Sequence, residues 1–330
     1  MDTSTTYLGL RLAHPFMAGA SPLSAHLDSV KRLEDAGAAA IVLHSLFEEQ
    51  ITLAASGRIH HRDPLDADFA AALSAFPSSG EYPFSPEEHL DHLRRVKSAV
   101  RIPVIASLNG ATAEAWLHWA ERLQEAGADA LEVNHYAVVT DLALPGIAIE
   151  TQVRDIVLEL KRILRIPVAV KLSPFFTAFA NVAQQLDKAG ADGLVIFNRF
   201  YQPDIDFHSM TVEPHLELSR SAELLLRLRW LAILHGRIRA SLAATGGVET
   251  ANDAVKAVLA GAHAVQMVSA LLRHGPSFLE SAVDALKRWM EWQKVASVDD
   301  MRGKVSLLHA DDPSAFERAN YIRTLHSWNK

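Results

Sequence analysis

The chain has 330 residues, 49% of them hydrophobic and 22% charged, with 32 basic against 39 acidic side chains and a net charge of −7 with histidine neutral. That length can bury a large core, which excludes disorder and a small cross-linked scaffold, and the acidic balance offers no phosphate-neutralising surface, which argues against nucleic acid as a partner. Cysteine is absent, so disulfides, thiolate zinc sites, iron–sulfur ligation and a cysteine nucleophile are excluded for this chain. Residues 1–6 (Met-Asp-Thr-Ser-Thr-Thr) lack the basic-then-apolar pattern of a signal peptide, and no apolar run is long enough to span a bilayer. A cytoplasmic protein with no membrane association is expected.

In chain order, residues 15–18 read as a first strand and residues 24–36 as a helix. The segment Asp35-Ala36-Gly37-Ala38 then leads into an apolar run ending at Leu43. The same joint recurs at Glu125-Ala126-Gly127-Ala128, at Lys188-Ala189-Gly190-Ala191 and at Leu259-Ala260-Gly261-Ala262. In each, glycine supplies the left-handed residue that ends a helix, and a strand buried on both faces follows. A second motif starts strands at Arg101-Ile102-Pro103 and Arg165-Ile166-Pro167, where proline needs no ladder N–H. With residues 239–244 these make eight strands. Helices are expected near 86–100, 113–126, 147–164, 177–189, 219–235, 250–260 and 277–293.

Eight strands alternating with eight helices predict an α/β fold, a (β/α)8 TIM barrel with long βα loops at its C-terminal face. The long loops span residues 45–85 and 199–218, and read as lids or substrate walls. Residues 1–295 are expected to form the barrel, with 296–330 as an extension packed on it or on a second subunit.

In such a barrel, polar residues at the carboxyl ends of strands face the site. Those ends carry Ala20 and Ser21, His44 and Ser45, Ser107, Asn134, Lys171, Asn198, Gly246 and Gly247, and Ser269 after Val268. Lys171 stands out, because an unpaired ammonium at the end of an apolar strand is costly. Gly246-Gly247 opens a helix after strand seven, where backbone N–H groups can approach a phosphate, with Val268-Ser269 beside it. A lysine near the polar edge of a flavin would stabilise the charge formed on reduction. The residues alone fit flavin mononucleotide and a sugar phosphate equally. No spacing points to a metal site; His60-His61 is the nearest approach to one.

The segments Pro15-Phe16-Met17-Ala18-Gly19-Ala20-Ser21, Val170-Lys171-Leu172-Ser173-Pro174, Phe197-Asn198 and Thr245-Gly246-Gly247-Val248, with the Asn134 strand, resemble dihydroorotate dehydrogenases, nearest the soluble class 1 branch. The resemblance runs from about residue 5 to about residue 290. It implies an FMN-binding (β/α)8 barrel acting on CH–CH groups, commonly as a homodimer. FMN contacts are implied from Ala20, Ser21, Ser45, Ser107, Asn134, Lys171, Asn198, Gly246, Gly247 and Ser269. His44 stands where the family has a lysine.

The departures concern the substrate half. The family's loop after strand four reads Asn-x-Ser-Cys-Pro-Asn or close to it, with Cys or Ser as the base. This chain has Asn134-His135-Tyr136-Ala137-Val138-Val139, with Ala137 at the base position and Val139 at a substrate-binding asparagine. The family's asparagine-rich substrate loop has no counterpart in residues 60–90. The expectation is an FMN-dependent oxidoreductase whose small-molecule substrate is not dihydroorotate. His135 is the candidate replacement base, and Arg199 either grips an acidic substrate or forms a surface salt bridge. Two other readings fit the same residues: a non-flavin lyase or aldolase with Lys171 as Schiff-base former, and a flavin-carrying or catalytically silent partner of another redox protein.

Overall fold

The computed structural model describes residues 1–56, 84–110, 113–199, 202–213 and 215–327. The chain opens with an antiparallel hairpin, β1 (Thr5–Tyr7) and β2 (Leu10–Leu12). A closed parallel barrel follows, built from β3 (Phe16–Ala18), β4 (Ile41–Val42) with β5 (Leu46–Phe47), β6 (Val104–Gly110), β7 (Ala130–His135), β8 (Val168–Leu172) and β9 (Gly193–Ile196). A second hairpin, β10 (Asp204–Asp206) and β11 (Thr211–Glu213), precedes the last two barrel strands, β12 (Ser241–Thr245) and β13 (Ala264–Met267). Closure comes from β13 pairing with β3, β3 with β4, and β4 with β6.

The helices covering the barrel are α1 (Leu27–Asp35), α2 (Glu48–Ser56), α3 (Pro86–Ala99), α4 (Ala113–Glu125), α5 (Gly146–Ile163), α6 (Phe179–Lys188), α7 (Ser221–Leu234), α8 (Ala251–Ala260), α9 (Ser269–His274) and α10 (Phe278–Gln293). Two short ones follow, α11 (Val298–Met301) and α12 (Ala319–Ser327). None of the helices among the described residues is long and apolar enough to cross a membrane.

All eight strands expected from the sequence are present, and strand two is split. Leu46 and Phe47 pair with Leu108 and Asn109 after a break at 43–45, so the long connection begins with a resumed strand and then α2. Its remainder, residues 57–83 with His60 and His61, lies outside the described residues, as does Trp328.

Successive strand residues face opposite sides, and this divides the core in two. Leu131, Val133, Val168, Val170, Leu194 and Ile196 pack outward under the helices. Ile105, Ala130, Ala169, Val195, Ala243 and Ala264 face inward and receive Tyr7, Leu8 and Leu12 of the first hairpin. Four of those inward residues are alanines, which leaves width for the plug. Gly193 completes the fit, since a Cβ there would lie 2.4 Å from Leu8 Cδ2. The N-terminal end of the barrel is thereby sealed. Residues of the C-terminal segment add to the seal: Gly303 and Val305 donate to Val258 and Leu259 carbonyls at 3.1 Å each, and Arg302 donates to Thr5 Oγ1 at 2.7 Å.

The recurrent glycines do what their spacing predicts, with φ of +86° at Gly37, +99° at Gly127, +96° at Gly190 and +128° at Gly261. Three residues before three of them stands an acceptor that clamps the entry of a barrel strand, one beyond the strand that the glycine introduces. Glu34 Oε1 accepts from Arg101 and Ile102 N–H at 2.6 and 3.3 Å, and Gln124 Oε1 accepts from Arg165 and Ile166 at 2.6 and 3.1 Å. Asp187 Oδ1 accepts from Arg239 and Ala240 at 2.9 and 2.8 Å. These bonds satisfy strand-start donors that no ladder reaches. Asp187→Ala should therefore lower unfolding stability by about 1–3 kcal/mol in urea titration, with Asp187→Asn largely preserving it. An unchanged midpoint in the alanine variant would contradict the clamp.

Candidate functional site

The polar strand ends meet at the C-terminal mouth of the barrel in three groups. Ser45 Oγ and Ser107 Oγ, from strands two and three, lie 2.8 Å apart and are buried. In the second group, Asn198 Nδ2 donates to Asn134 Oδ1 at 2.7 Å, joining the ends of β7 and β9, and Lys171 stands opposite Asn134 in the β7–β8 register. The third group surrounds the turn after β12. Gly246 and Gly247 both adopt φ of +78°. A Cβ at Gly247 would fall 2.4 Å from Leu224 N, so the packing of α7 requires glycine there as much as the dihedral does.

Ala20 and Ser21 join this third group through Gly19, where a Cβ would lie 2.8 Å from Val268 Cγ2. The ends of strands one and eight therefore touch. Ser269 Oγ accepts from Ser219 N–H at 3.0 Å, and the two hydroxyls are 2.8 Å apart. Ser219 Oγ in turn accepts from Gly247 N–H at 3.0 Å, so this backbone donor has a hydroxyl as its partner. Buried Arg227 fixes the turn from behind, with Nε donating to Thr245 O at 2.6 Å and a guanidinium nitrogen donating to Glu223 O at 2.7 Å.

Lys171 is buried, and its recorded polar partner is a residue the strand-end reading passed over. Glu132, two residues below Asn134 on β7, places Oε1 3.4 Å from Lys171 Nζ, and its other oxygen accepts from Gln266 Nε2 at 2.5 Å. Tyr7 lies close enough that burial first, and then the Glu132 charge, hold its phenol well above the usual range. A signal for both missed residues exists in the repeat. Glu132 and Gln266 each stand five residues after the recurring glycine, as a polar side chain between apolar neighbours in the strand.

The remaining candidates sit elsewhere. Arg199 donates to Glu223 Oε1 at 2.9 Å. His135 is buried and follows Asn134 on β7, so the two face opposite sides of the strand, and burial lowers the imidazole below its ordinary range. Ala137 is half-buried, whereas Val138 and Val139 are exposed in the loop beyond β7. Among the described residues no group of three or more His, Asp or Glu side chains is arranged to hold a metal.

His44 packs into a histidine cluster under α3. Its ring centroid lies 4.7 Å from that of His89, 5.7 Å from His92 and 5.3 Å from Phe84. The ring nitrogens of His44 and His89 have no hydrogen-bond partner among the described residues. Burial first, and the neighbouring imidazoles next, push His44 down to about 4 and His89 down to about 3. Both are thus neutral in the folded protein while the unfolded chain protonates near 6.5. The unfolded state binds the extra protons, so stability falls as pH drops from about 6.5 towards 4. His89→Phe should make that acid limb shallower by about 1.4 kcal/mol per pH unit in denaturation titrations. An unaltered slope would mean that His89 is protonated in the fold.

Comparison with known proteins gives this geometry a lineage. A family model described as dihydroorotate dehydrogenase matches residues 85–290. The chain is 27% identical to the dihydroorotate dehydrogenase B (NAD(+)) catalytic subunit of Thermoplasma volcanium, over 92% of this chain and 98% of that protein. The corresponding subunit of Thermoplasma acidophilum is 29% identical over the same shares. The NAD-dependent dihydropyrimidine dehydrogenase subunit PreA of Escherichia coli is 26% identical, over 92% of this chain and 76% of that protein. The matched residues include Asn134, the Lys171 strand, Asn198 and the Gly246-Gly247 turn, and the chain belongs to the dihydroorotate dehydrogenase family.

Proposed function

We propose that this chain is an FMN-dependent oxidoreductase acting on CH–CH bonds of a small molecule other than dihydroorotate. The observation that carries the reading is buried Lys171, paired with Glu132 and standing in register with Asn134 of the Asn134–Asn198 amide pair, at the mouth of a barrel whose base position holds a methyl group. The donor set fits the cofactor. Lys171, Asn134 and Asn198 offer a cation and amides to a polar ring edge, and Ser45 and Ser107 offer hydroxyls. The phosphate would take the turn of Gly246 and Gly247, with Val268 and Ser269 beside it. There it would replace the neutral Ser219 hydroxyl as acceptor of the Gly247 N–H. Ala20 and Ser21 would line the same side through the Gly19 contact.

When bound, FMN would supply an acceptor for a hydride equivalent. Lys171 would place positive charge where negative charge develops, and the Asn134–Asn198 pair would orient the ring. Ala137 can hold no proton, and Val138 and Val139 present apolar surface where a polar pyrimidine would need donors and acceptors. His135 would have to leave its buried position to serve as base, and Arg199 would have to leave Glu223 to grip a carboxylate. His44, packed under α3, would contribute at the edge of the site.

A Schiff-base role for Lys171 is disfavoured by Glu132, because a neighbouring carboxylate favours the protonated amine, which is not nucleophilic. The three relatives compared above are named as subunits. A separate redox partner fits a chain without cysteine, which can ligate no iron–sulfur centre of its own, and a homodimer is part of the same proposal.

Lys171→Met should retain much of the FMN but lower its reduction potential in dye-coupled titration, because a favourable charge partner of the reduced ring is removed. An unchanged or higher potential would contradict the role. With dihydroorotate and fumarate or a dye, the wild-type protein should show negligible turnover, since loss of a positioned base alone costs about 10²–10⁴-fold. Ala137→Cys should not rescue it, because substrate grip is a separate deficit. Turnover near ~1 per second, within the ordinary enzymatic range, would overturn the substrate assignment.

A further inference from the structure

We propose that Glu132 is the counter-ion that keeps Lys171 protonated beneath the cofactor, and so sets how many protons accompany the electrons entering it. This rests on the flavin reading above. Glu132 is a positioning residue here, since it acts through the lysine.

The geometry carries the inference. The side chain of Glu132 is 1% exposed and that of Lys171 8%, and their charged atoms stand 3.4 Å apart. Among the described residues Lys171 has no other recorded polar partner. Glu132 pairs in register with Ala169 while Lys171 pairs with Asn134, so the carboxylate approaches the ammonium from the sealed end of the barrel. An ammonium has three donors, and Glu132 Oε1 accepts no hydrogen bond among the described residues, so the contact is an ion pair that leaves those donors for the mouth.

A buried lysine without an opposite charge sheds its proton, whereas an anion within about 4–6 Å retains it. Glu132 can remain that anion because Gln266 crosses the barrel to donate to Oε2 at 2.5 Å, a charge-assisted bond. Tyr7, the other ionisable group near Glu132, is kept neutral and adds no competing charge. Beneath the site, among the described residues, Lys171 is thus paired with Glu132, whose other oxygen is held by Gln266.

The proton balance follows. Reduction of the wild-type protein by dithionite adds two electrons and one buffer proton to the cofactor, and Lys171 takes up nothing. Without the carboxylate, Lys171 is neutral over the oxidised cofactor and binds a second buffer proton at Nζ as negative charge forms above it. One further proton per two electrons makes the midpoint respond about 30 mV more steeply to each tenfold change in proton concentration.

The test is spectroelectrochemical titration of the FMN-loaded protein from pH 7 to 9. Wild type should show the slope of one proton per two electrons throughout, and Glu132→Gln should show that of two. The Glu132→Gln/Lys171→Met double variant should return to one, because the titrating amine is gone. A merely structural role for Glu132 would leave the slope unmoved. An unchanged slope in Glu132→Gln with FMN bound overturns the inference. Should that variant fail to fold, wild type and Lys171→Met decide, because a two-proton slope in wild type that is lost in Lys171→Met would mean that Lys171 titrates despite Glu132. Wild-type protein that binds no FMN overturns the flavin reading instead, a result distinguishable from the others.

Discussion

The barrel is organised around a pair of opposite charges placed where solvent is scarce. Separating Lys171 from Glu132 would leave an uncompensated buried ion, which costs several kcal/mol, so the pair must be met by close geometry and a supporting hydrogen bond. Gln266 supplies that bond from β13, and it can reach because the inward residues at the sealed end are small. Ala130, Ala169, Ala243 and Ala264 leave room for Tyr7, Leu8 and Leu12 to plug the end, and the polar layer lies between plug and mouth. The hairpin, the alanine ring and the ion pair form one arrangement.

The two ends of the barrel carry different duties. At the N-terminal end, helix-borne acceptors clamp strand starts and the C-terminal segment ties down the helices; these contacts hold the fold. At the other end, strand ends break off into amides, hydroxyls and a double-glycine turn. Arg227 joins the two duties, since it locks the carbonyl of Thr245 to α7 and so fixes the turn on which a phosphate would rest.

Most of the architecture was legible in the sequence because it repeats. A helix-ending glycine and an apolar strand recur four times, and each such glycine takes the positive φ its position demands. The positions of Asn134, Lys171 and Asn198 follow from counting strand ends. Glu132 and Gln266 were harder to see, because one polar residue inside an apolar run looks like an interruption rather than half of a contact spanning the barrel. Ser219 was hidden for another reason: it belongs to a long connection, and only the folded chain brings it to Gly247. The partners of His44 are likewise tertiary, since His89 and His92 come from a helix 45 residues or more away in sequence.

On the proposed reading, the family's cofactor half and substrate half part company in this chain. That reading keeps the proposed flavin-holding residues, His44 aside, and puts Ala137-Val138-Val139 in the loop that would deprotonate a pyrimidine. Cofactor content is therefore the most direct measure of the account. Acid release and chromatographic quantification of the nucleotide from purified, folded protein should yield one FMN per chain, accompanied by a flavin absorption spectrum before release. A folded protein that carries no FMN, and takes none up when it is supplied in excess, would contradict it.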